Sequence, residues 1–242
     1  MDNLYIVIPA YNEEETIQQV IDDWYPIVEK ISPESRLVII NDGSRDKTYE
    51  IMQQYAKTRP QFIPLTKENG GHGATLLFGY HYAIEQKADY IFQTDSDGQT
   101  LPDEFPVFWD LRQQYDMIIG HRCRREDGAS RVFVTKTLKF VLWLSFGVSI
   151  TDANTPFRLM KRTTLETYIT QIPKNFNLSN VLISVIYAKN KLNVKYLPIT
   201  FRPRQGGVNS INLKKIIKIG QQALKDFRDI NRSLKEHAPS EK

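Results

Sequence analysis

Apolar residues along this chain follow two rhythms. Continuous β-rich runs at Leu4–Ile8, Leu37–Ile40, Phe62–Leu65, Tyr90–Phe92 and Met117–Ile119 read as strands buried on both faces, as in a parallel sheet. Between them, apolar positions recur at spacings of three and four, which predicts helices. The first carries Ile17, Val20, Ile21 and Trp24, behind an acidic start at Glu13-Glu14-Glu15 that suits a helix amino end. Others run through Tyr49, Met52 and Tyr55, through Leu76, Leu77 and Tyr80, and from about Phe105 to Tyr115. Leu138–Val148 is the most apolar helix candidate. Burial in the core is its default reading, and contact with a lipid headgroup boundary is the alternative.

This alternation predicts an α/β chain with a mostly parallel central sheet and helices on both faces. In such open sheets ligands bind at the carboxyl ends of the strands. Those ends carry Pro9-Ala10-Tyr11-Asn12, Asn41-Asp42-Gly43-Ser44, Asp95-Ser96-Asp97-Gly98 and His121-Arg122. The chemistry is expected there.

Length changes the picture little: 242 residues without a long Pro, Gly or Ser linker fit one large domain, expected over 1–212, with an amphipathic basic helix and tail over 213–242. In that tail Leu213, Ile216, Ile217, Gly220, Leu224 and Phe227 form a stripe beside Lys214, Lys215, Lys218, Lys225 and Arg228. Packing on the domain or in a homo-oligomer is one reading of the stripe, and anionic lipid is the other. The net charge of +4 is modest, and its basic clusters at Arg122–Arg131 and Arg202–Lys218 point to an anionic ligand or surface rather than nucleic acid. A single cysteine, Cys123, excludes an internal disulfide and fits a cytoplasmic setting. No secretory signal is expected, because Leu4–Ala10 lacks a basic flank and runs into the acidic stretch. Phe140–Ile150, the longest apolar stretch, falls short of the roughly 20 residues a bilayer span needs.

The segment Ala88–Thr100 places Asp95 and Asp97 where a strand leaves the sheet. Side chains two apart face one way in extended chain. Two carboxylates so close are costly unless a cation or hydrogen-bond donors lie between them. Mg2+ carrying a diphosphate is the natural candidate, and a plain polar turn is the alternative. An EF-hand loop is excluded, since Pro106 stands where its last, bidentate Glu is needed. The glycines of Asn69-Gly70-Gly71-His72-Gly73 match neither nucleotide-binding glycine fingerprint. They are expected to turn a loop sharply beneath a ligand, and His72 is assigned no role.

Taken together, Ile8-Pro9-Ala10-Tyr11-Asn12-Glu13, Asn41-Asp42-Gly43-Ser44-Arg45-Asp46, Asn69-Gly70-Gly71-His72-Gly73 and Asp95-Ser96-Asp97-Gly98-Gln99 resemble glycosyltransferase family 2, the inverting transferases with a GT-A fold. The resemblance covers roughly residues 3–212. Asp-x-Asp-x-Gln followed by Gly120-His121-Arg122 is most similar to the branch that makes polyprenyl-phosphate sugars, typified by dolichol-phosphate mannosyltransferase. It implies that Pro9, Tyr11 and Glu13 border the nucleotide and that Asp42 takes a hydrogen bond from its base. It also implies that Asp95 faces ribose and metal, that Asp97 ligates Mg2+ or Mn2+ directly, and that Gln99 lies beside them. Arg122 and Arg131 match basic positions near the phosphates. Thr151–Arg158 resembles the family's Asp-x-x-x-Gly-Phe-Arg motif, with Pro156 in place of glycine, and Asp152 as the acceptor-side carboxylate. Arg204–Ser210 resembles Arg-x-x-Gly-x-Ser-Lys, keeping Arg204 but carrying Asn209 and Ser210 in place of Ser and Lys.

These residues imply transfer of one sugar from a nucleotide-sugar donor, UDP ahead of GDP by family frequency, to a lipid phosphate or a glycan hydroxyl. Asp152 is the expected base for a hydroxyl acceptor. For an acceptor that is already anionic, the base matters less and the arginines more. A link to cell-wall or polysaccharide synthesis and a place on the cytoplasmic membrane face follow as expectations. The processive signature Gln-x-x-Arg-Trp is absent. Two rival readings remain: a sugar nucleotidyltransferase, which the weak match to a glycine-rich loop with its Lys opposes, and a noncatalytic nucleotide-sugar-binding scaffold, which the altered motifs keep open.

Overall fold

The computed structural model describes residues 2–122, 128–174, 176–203 and 227, with side chains 128–136 excepted. Alternation of strand and helix runs through β1 (Leu4–Ala10), α1 (Ile17–Ile31), β2 (Arg36–Asp42), α2 (Thr48–Ala56), β3 (Phe62–Lys67), α3 (His72–Glu85) and β4 (Tyr90–Thr94). A short 3-10 turn at Pro102–Glu104 leads into α4 (Phe105–Asp110), then β5 (Met117–Arg122) and α5 (Gly128–Phe146). The chain continues through β6 (Phe157–Lys161), α6 (Arg162–Ile169), α7 (Ser179–Lys189) and β7 (Val194–Ile199).

Among the described residues the sheet has seven strands, in the order β3-β2-β1-β4-β6-β5-β7. β1 pairs in parallel with β2 and β4, β2 with β3, and β5 with β7. Of these seven, only β6 runs the other way, antiparallel to both β4 and β5. That reversal matters for function. The parallel strands end on one edge of the sheet, and β6 begins on that same edge, with Phe157 opposite Thr94. The loop entering β6 thus joins the loops leaving the other strands.

Each sheet face is covered by helices. On one side Ile17, Ile21, Trp24 and Val28 of α1 pack with Met52, Phe105 and Phe108 on Leu4, Ile6, Ile8, Leu37 and Ile39. Phe92 sits in this layer with ring centroids 4.7 Å from Phe157 and 4.8 Å from Phe105. Burying such a side chain contributes about 2–3 kcal/mol. On the other side Leu76, Leu77 and Tyr80 of α3 meet Leu142 and Phe146 of α5 and the buried length of α7. Gly79 allows α3 its close approach, since a Cβ there would lie 2.5 Å from Val7 Cγ1.

Two expected helices have different bounds. The one placed from Phe105 to Tyr115 ends at Asp110, and the one placed at Leu138 begins at Gly128, with its last helical residue Phe146. Among the described residues no helix is long and apolar enough to cross a membrane. Most of the tail stripe lies outside the described residues, but Phe227 is buried, 5.2 Å from the Phe146 ring and 6.0 Å from Phe176.

Candidate active site

The bend after β4 is built from inward and outward alternation. Ser96 is buried and donates to the Pro9 carbonyl at 2.9 Å, while Asp95 and Asp97 on either side are half-buried. β4 itself stops at Thr94, so the extended-strand argument for the two carboxylates does not reach them; the anchored Ser96 takes its place. A turn completes the bend, with Gly98 at φ +68, a region open to glycine. Asp97 Oδ1 accepts from the Gln99 backbone N–H at 3.1 Å. Gln99 also ties the bend to the residues after β7, donating from its side chain to the Arg202 carbonyl at 2.9 Å and accepting from the Arg202 N–H at 2.8 Å.

Asp95 Oδ1 takes a hydrogen bond from Gln93 Nε2 at 3.0 Å and lies 3.1 Å from His72 Nε2. Sequence reasoning gives His72 no role, because a loop histidine carries no signal of its partner. Desolvation pulls its pKa down, but the carboxylates of Asp95, Asp97 and Asp42 outweigh it and hold the imidazole above its ordinary value. His72 opens α3, whose amino end therefore sits beside the Asp95 carboxylate. Helix amino ends favour negative charge.

Asp42 closes β2 and is nearly buried. It holds the glycine loop by its own carboxylate: Gly70 N–H donates to Oδ1 and Gly71 N–H to Oδ2, each at 2.9 Å, and Lys67 Nζ makes a close ion pair with Oδ1. Burial alone would raise the Asp42 pKa, yet the Lys67, Gly70 and Thr75 donors bring it below the ordinary carboxylate value. Gly43, at φ +67, lets the chain pass 2.9 Å from Asn69 N, measured to where a Cβ would stand.

Pro9 is buried at the end of β1, and Tyr11 beyond it is 44% exposed at the rim. Glu13 is buried, its Oε2 accepting from Thr16 Oγ1 at 2.9 Å, while Thr16 Oγ1 also lies 3.2 Å from the Ser96 carbonyl. Thr16 thus stands between Glu13 and the Asp95-Asp97 bend, its single hydroxyl proton available to one of the two oxygens.

Arg122 closes β5, and Asp152 lies in the bend between α5 and β6. Arg122 Nε and Nη2 each donate to one Asp152 oxygen at 3.3 Å, and the guanidinium stands 4.9 Å from the Phe201 ring centroid. Asp152 is buried, between a helix end and a strand rather than on a helix cap. Arg158, wholly buried in β6, secures that bend: it donates to the carbonyls of Ala153 at 3.1 Å and Thr155 at 3.1 and 3.2 Å.

The structure therefore gathers Pro9, Tyr11, Glu13, Asp42, Asp95, Asp97, Gln99, Arg122 and Asp152 along one edge of the sheet. Arg204 and the side chain of Arg131 lie outside the described residues. Among the described residues no group of three or more His, Cys, Asp or Glu side chains is arranged to hold a metal ion by itself. Two carboxylates on one bend fit a hard cation whose other positions are filled by diphosphate oxygens and water.

The chain resembles known proteins at three levels. Residues 5–169 match the family model described as glycosyl transferase family 2. The undecaprenyl-phosphate 4-deoxy-4-formamido-L-arabinose transferase of Pectobacterium atrosepticum is 26% identical over 201 residues, covering 78% of this chain and 61% of that protein. This chain thus spans about three fifths of that relative. The UDP-N-acetylglucosamine–dolichyl-phosphate N-acetylglucosaminyltransferase of Methanococcus voltae is 27% identical over 220 residues, 81% of this chain and 84% of that one. In structure, glucosyl-3-phosphoglycerate synthase from Mycobacterium tuberculosis, solved with Mn2+, UDP-glucose and glycerol 3-phosphate, superposes with a TM-score of 0.67 at 18% identity, over 95% of this chain and 80% of that one. The last likeness supports the GT-A fold alone. With the family model matched over more than half its length, the chain belongs to glycosyl transferase family 2.

Proposed function

We propose that this chain is an inverting, metal-dependent glycosyltransferase that moves one sugar from a nucleoside diphosphate sugar, UDP ahead of GDP, to a polyprenyl phosphate. The observation that carries this reading is the pairing of two half-sites on one sheet edge: Asp95 and Asp97 with Asp42 on one side, Arg122 and Asp152 on the other. Relatives named for transfer to undecaprenyl phosphate and dolichyl phosphate support the acceptor class.

The donor side recognises the nucleotide through Asp42 and the exposed ring of Tyr11, and its diphosphate through the bend after β4. Mg2+ or Mn2+ held by Asp95 and Asp97 would supply Lewis-acid neutralisation of the leaving diphosphate. The amino end of α3 adds a positive partial charge on the same side. On the acceptor side, both Asp152 oxygens are already held by the Arg122 guanidinium. A phosphate acceptor needs no proton removed at neutral pH. Arg122 then has the chemistry the step requires, since a guanidinium binds phosphate as readily as carboxylate. Direct displacement from this face inverts the anomeric carbon.

Access by a lipid acceptor is supported by the outer face of α5, where Phe140, Trp143 and Leu144 are 60%, 58% and 67% exposed beside the exposed Lys139. Such a face suits a headgroup boundary and supports, within this proposal, a peripheral position on the cytoplasmic membrane face. A second copy covering α5 is the competing occupant. The function is tested by incubating the protein with Mn2+, labelled UDP-sugars and undecaprenyl phosphate. Label in the lipid fraction supports it; label only in free sugar or in a nucleotide product contradicts it.

A further inference from the structure

Beneath the donor site lies a chain of buried polar side chains that the reaction scheme does not use. Tyr80 of α3 donates its hydroxyl to Asn180 Oδ1 at 3.2 Å; Asn180 Nδ2 donates to Gln93 Oε1 at 3.0 Å; Gln93 Nε2 donates to Asp95 Oδ1 at 3.0 Å. Tyr80 and Gln93 are wholly buried and Asn180 nearly so. Gln93 is an amide in the fully buried strand β4, after Tyr90-Ile91-Phe92, where an unpaired polar group would be costly.

The hydrogen bonds run in one direction. Burial raises the Tyr80 pKa, so its hydroxyl stays a donor. With that donor on Oδ1, the Asn180 amide presents Nδ2 to Gln93, and Gln93 in turn presents Nε2 to Asp95. Turning either amide would set oxygen against oxygen. Successive hydrogen bonds of this kind strengthen one another. Their end point is one oxygen of Asp95, the same oxygen that His72 approaches. Asp95 is thereby held in rotation through Oδ1.

We propose that Tyr80, Asn180 and Gln93 form a positioning relay that sets the Asp95 carboxylate for the cation-bound diphosphate. The inference rests on the proposed donor site. None of the three touches the reacting atoms. Asn180 has a second duty through its backbone, whose carbonyl accepts from Arg158 Nη1 at 3.0 Å. Tests use Gln93, the last link of the relay, and Tyr80, the first.

The experiment is calorimetric titration of UDP with and without Mn2+ into wild type, Gln93→Met, Tyr80→Phe and the double variant, alongside thermal unfolding of each. The relay predicts that Gln93→Met weakens Mn2+-dependent UDP binding about tenfold and Tyr80→Phe about threefold, with metal-free binding little changed. The double variant should lose no more than Gln93→Met alone, because Tyr80 acts through Gln93. Wild-type affinity in the folded variants, or losses that multiply in the double variant, would overturn the relay and leave the donor site standing. If Gln93→Met does not fold, Tyr80→Phe decides by itself: a threefold loss supports the relay and an unchanged affinity overturns it. Failure of wild type to bind UDP under any condition would overturn the donor reading, and the relay's assigned role with it.

Discussion

Arg122 and Asp152 meet in a two-pronged ion pair, each nitrogen 3.3 Å from its own oxygen, at the point where β5 ends and the loop into β6 begins. Neither residue is near the other in sequence. Their pairing joins the basic position expected near phosphate and the carboxylate expected to act as base. An acceptor phosphate would compete with Asp152 for Arg122.

With undecaprenyl phosphate as acceptor, Arg122→Gln is predicted to lower initial transfer rates about 30- to 100-fold, the loss of a charged hydrogen-bond donor worth about 2–3 kcal/mol. Asp152→Asn keeps Arg122 charged and is predicted to stay within about tenfold of wild type. Steady-state rates measure both. The reverse order, with Asp152→Asn inactive and Arg122→Gln mild, would return Asp152 to the role of base for a hydroxyl acceptor.

Asp42 gives the protein an acid-sensitive joint. Its folded pKa lies below the ordinary value of 3.8, because the Lys67, Gly70 and Thr75 donors outweigh burial. The unfolded chain therefore binds the proton first as pH falls, and the stabilisation from Asp42 is present above about pH 4 and lost as pH drops through the lower, folded value. Asp42→Asn is predicted to have a lower Tm than wild type at pH 7, with the gap narrowing as pH falls below the ordinary carboxylate value. A gap that stays constant across this range would show that the charge on Asp42 does not stabilise the loop.

Gly73 carries the contact between α3 and the segment before α7. A Cβ there would stand 2.1 Å from the Phe176 carbonyl oxygen and 2.6 Å from the Asn177 carbonyl carbon, both backbone atoms. Gly73→Ala is predicted to destabilise by about 1–3 kcal/mol, a few degrees or more in Tm. It should also weaken UDP binding, since α3 begins beside Asp95. Thermal unfolding and calorimetry check the two effects, and a variant as stable as wild type would contradict this backbone contact.

Trp143 and Leu144 supply the exposed part of α5 that lipid access needs. Wild type is predicted to float with anionic vesicles at low salt, and Trp143→Ser/Leu144→Ser to remain in the dense fraction. Wild type that never floats would contradict membrane contact through this face.

Much of this architecture is legible in the sequence because the first five strands are continuous apolar runs and each ends in a polar turn. The reversal at β6 is not, since Arg158 and Lys161 interrupt its apolar pattern and a strand's direction leaves no mark in its residues. α7 escapes for a related reason: it is buried along nearly its whole length, so it has no polar face to give a helical period. The residues at strand ends announce themselves through Asp, Asn and Gly. Their supports do not: His72 acquires a partner only when α3 is placed against β4, and Asn180 reaches Gln93 across a separation of 87 residues. The one available signal is Gln93, a polar residue inside a buried strand.

Metal-dependent donor binding at the bend after β4 is tested by calorimetric titration of UDP and GDP, each with and without Mn2+ or Mg2+, into wild type and Asp97→Ala. UDP is predicted to bind wild type far more tightly with metal than without, and Asp97→Ala to abolish this gain. UDP binding of equal strength with and without metal, or unchanged binding in Asp97→Ala, would contradict the assignment of Asp95 and Asp97 to a cation-bound diphosphate.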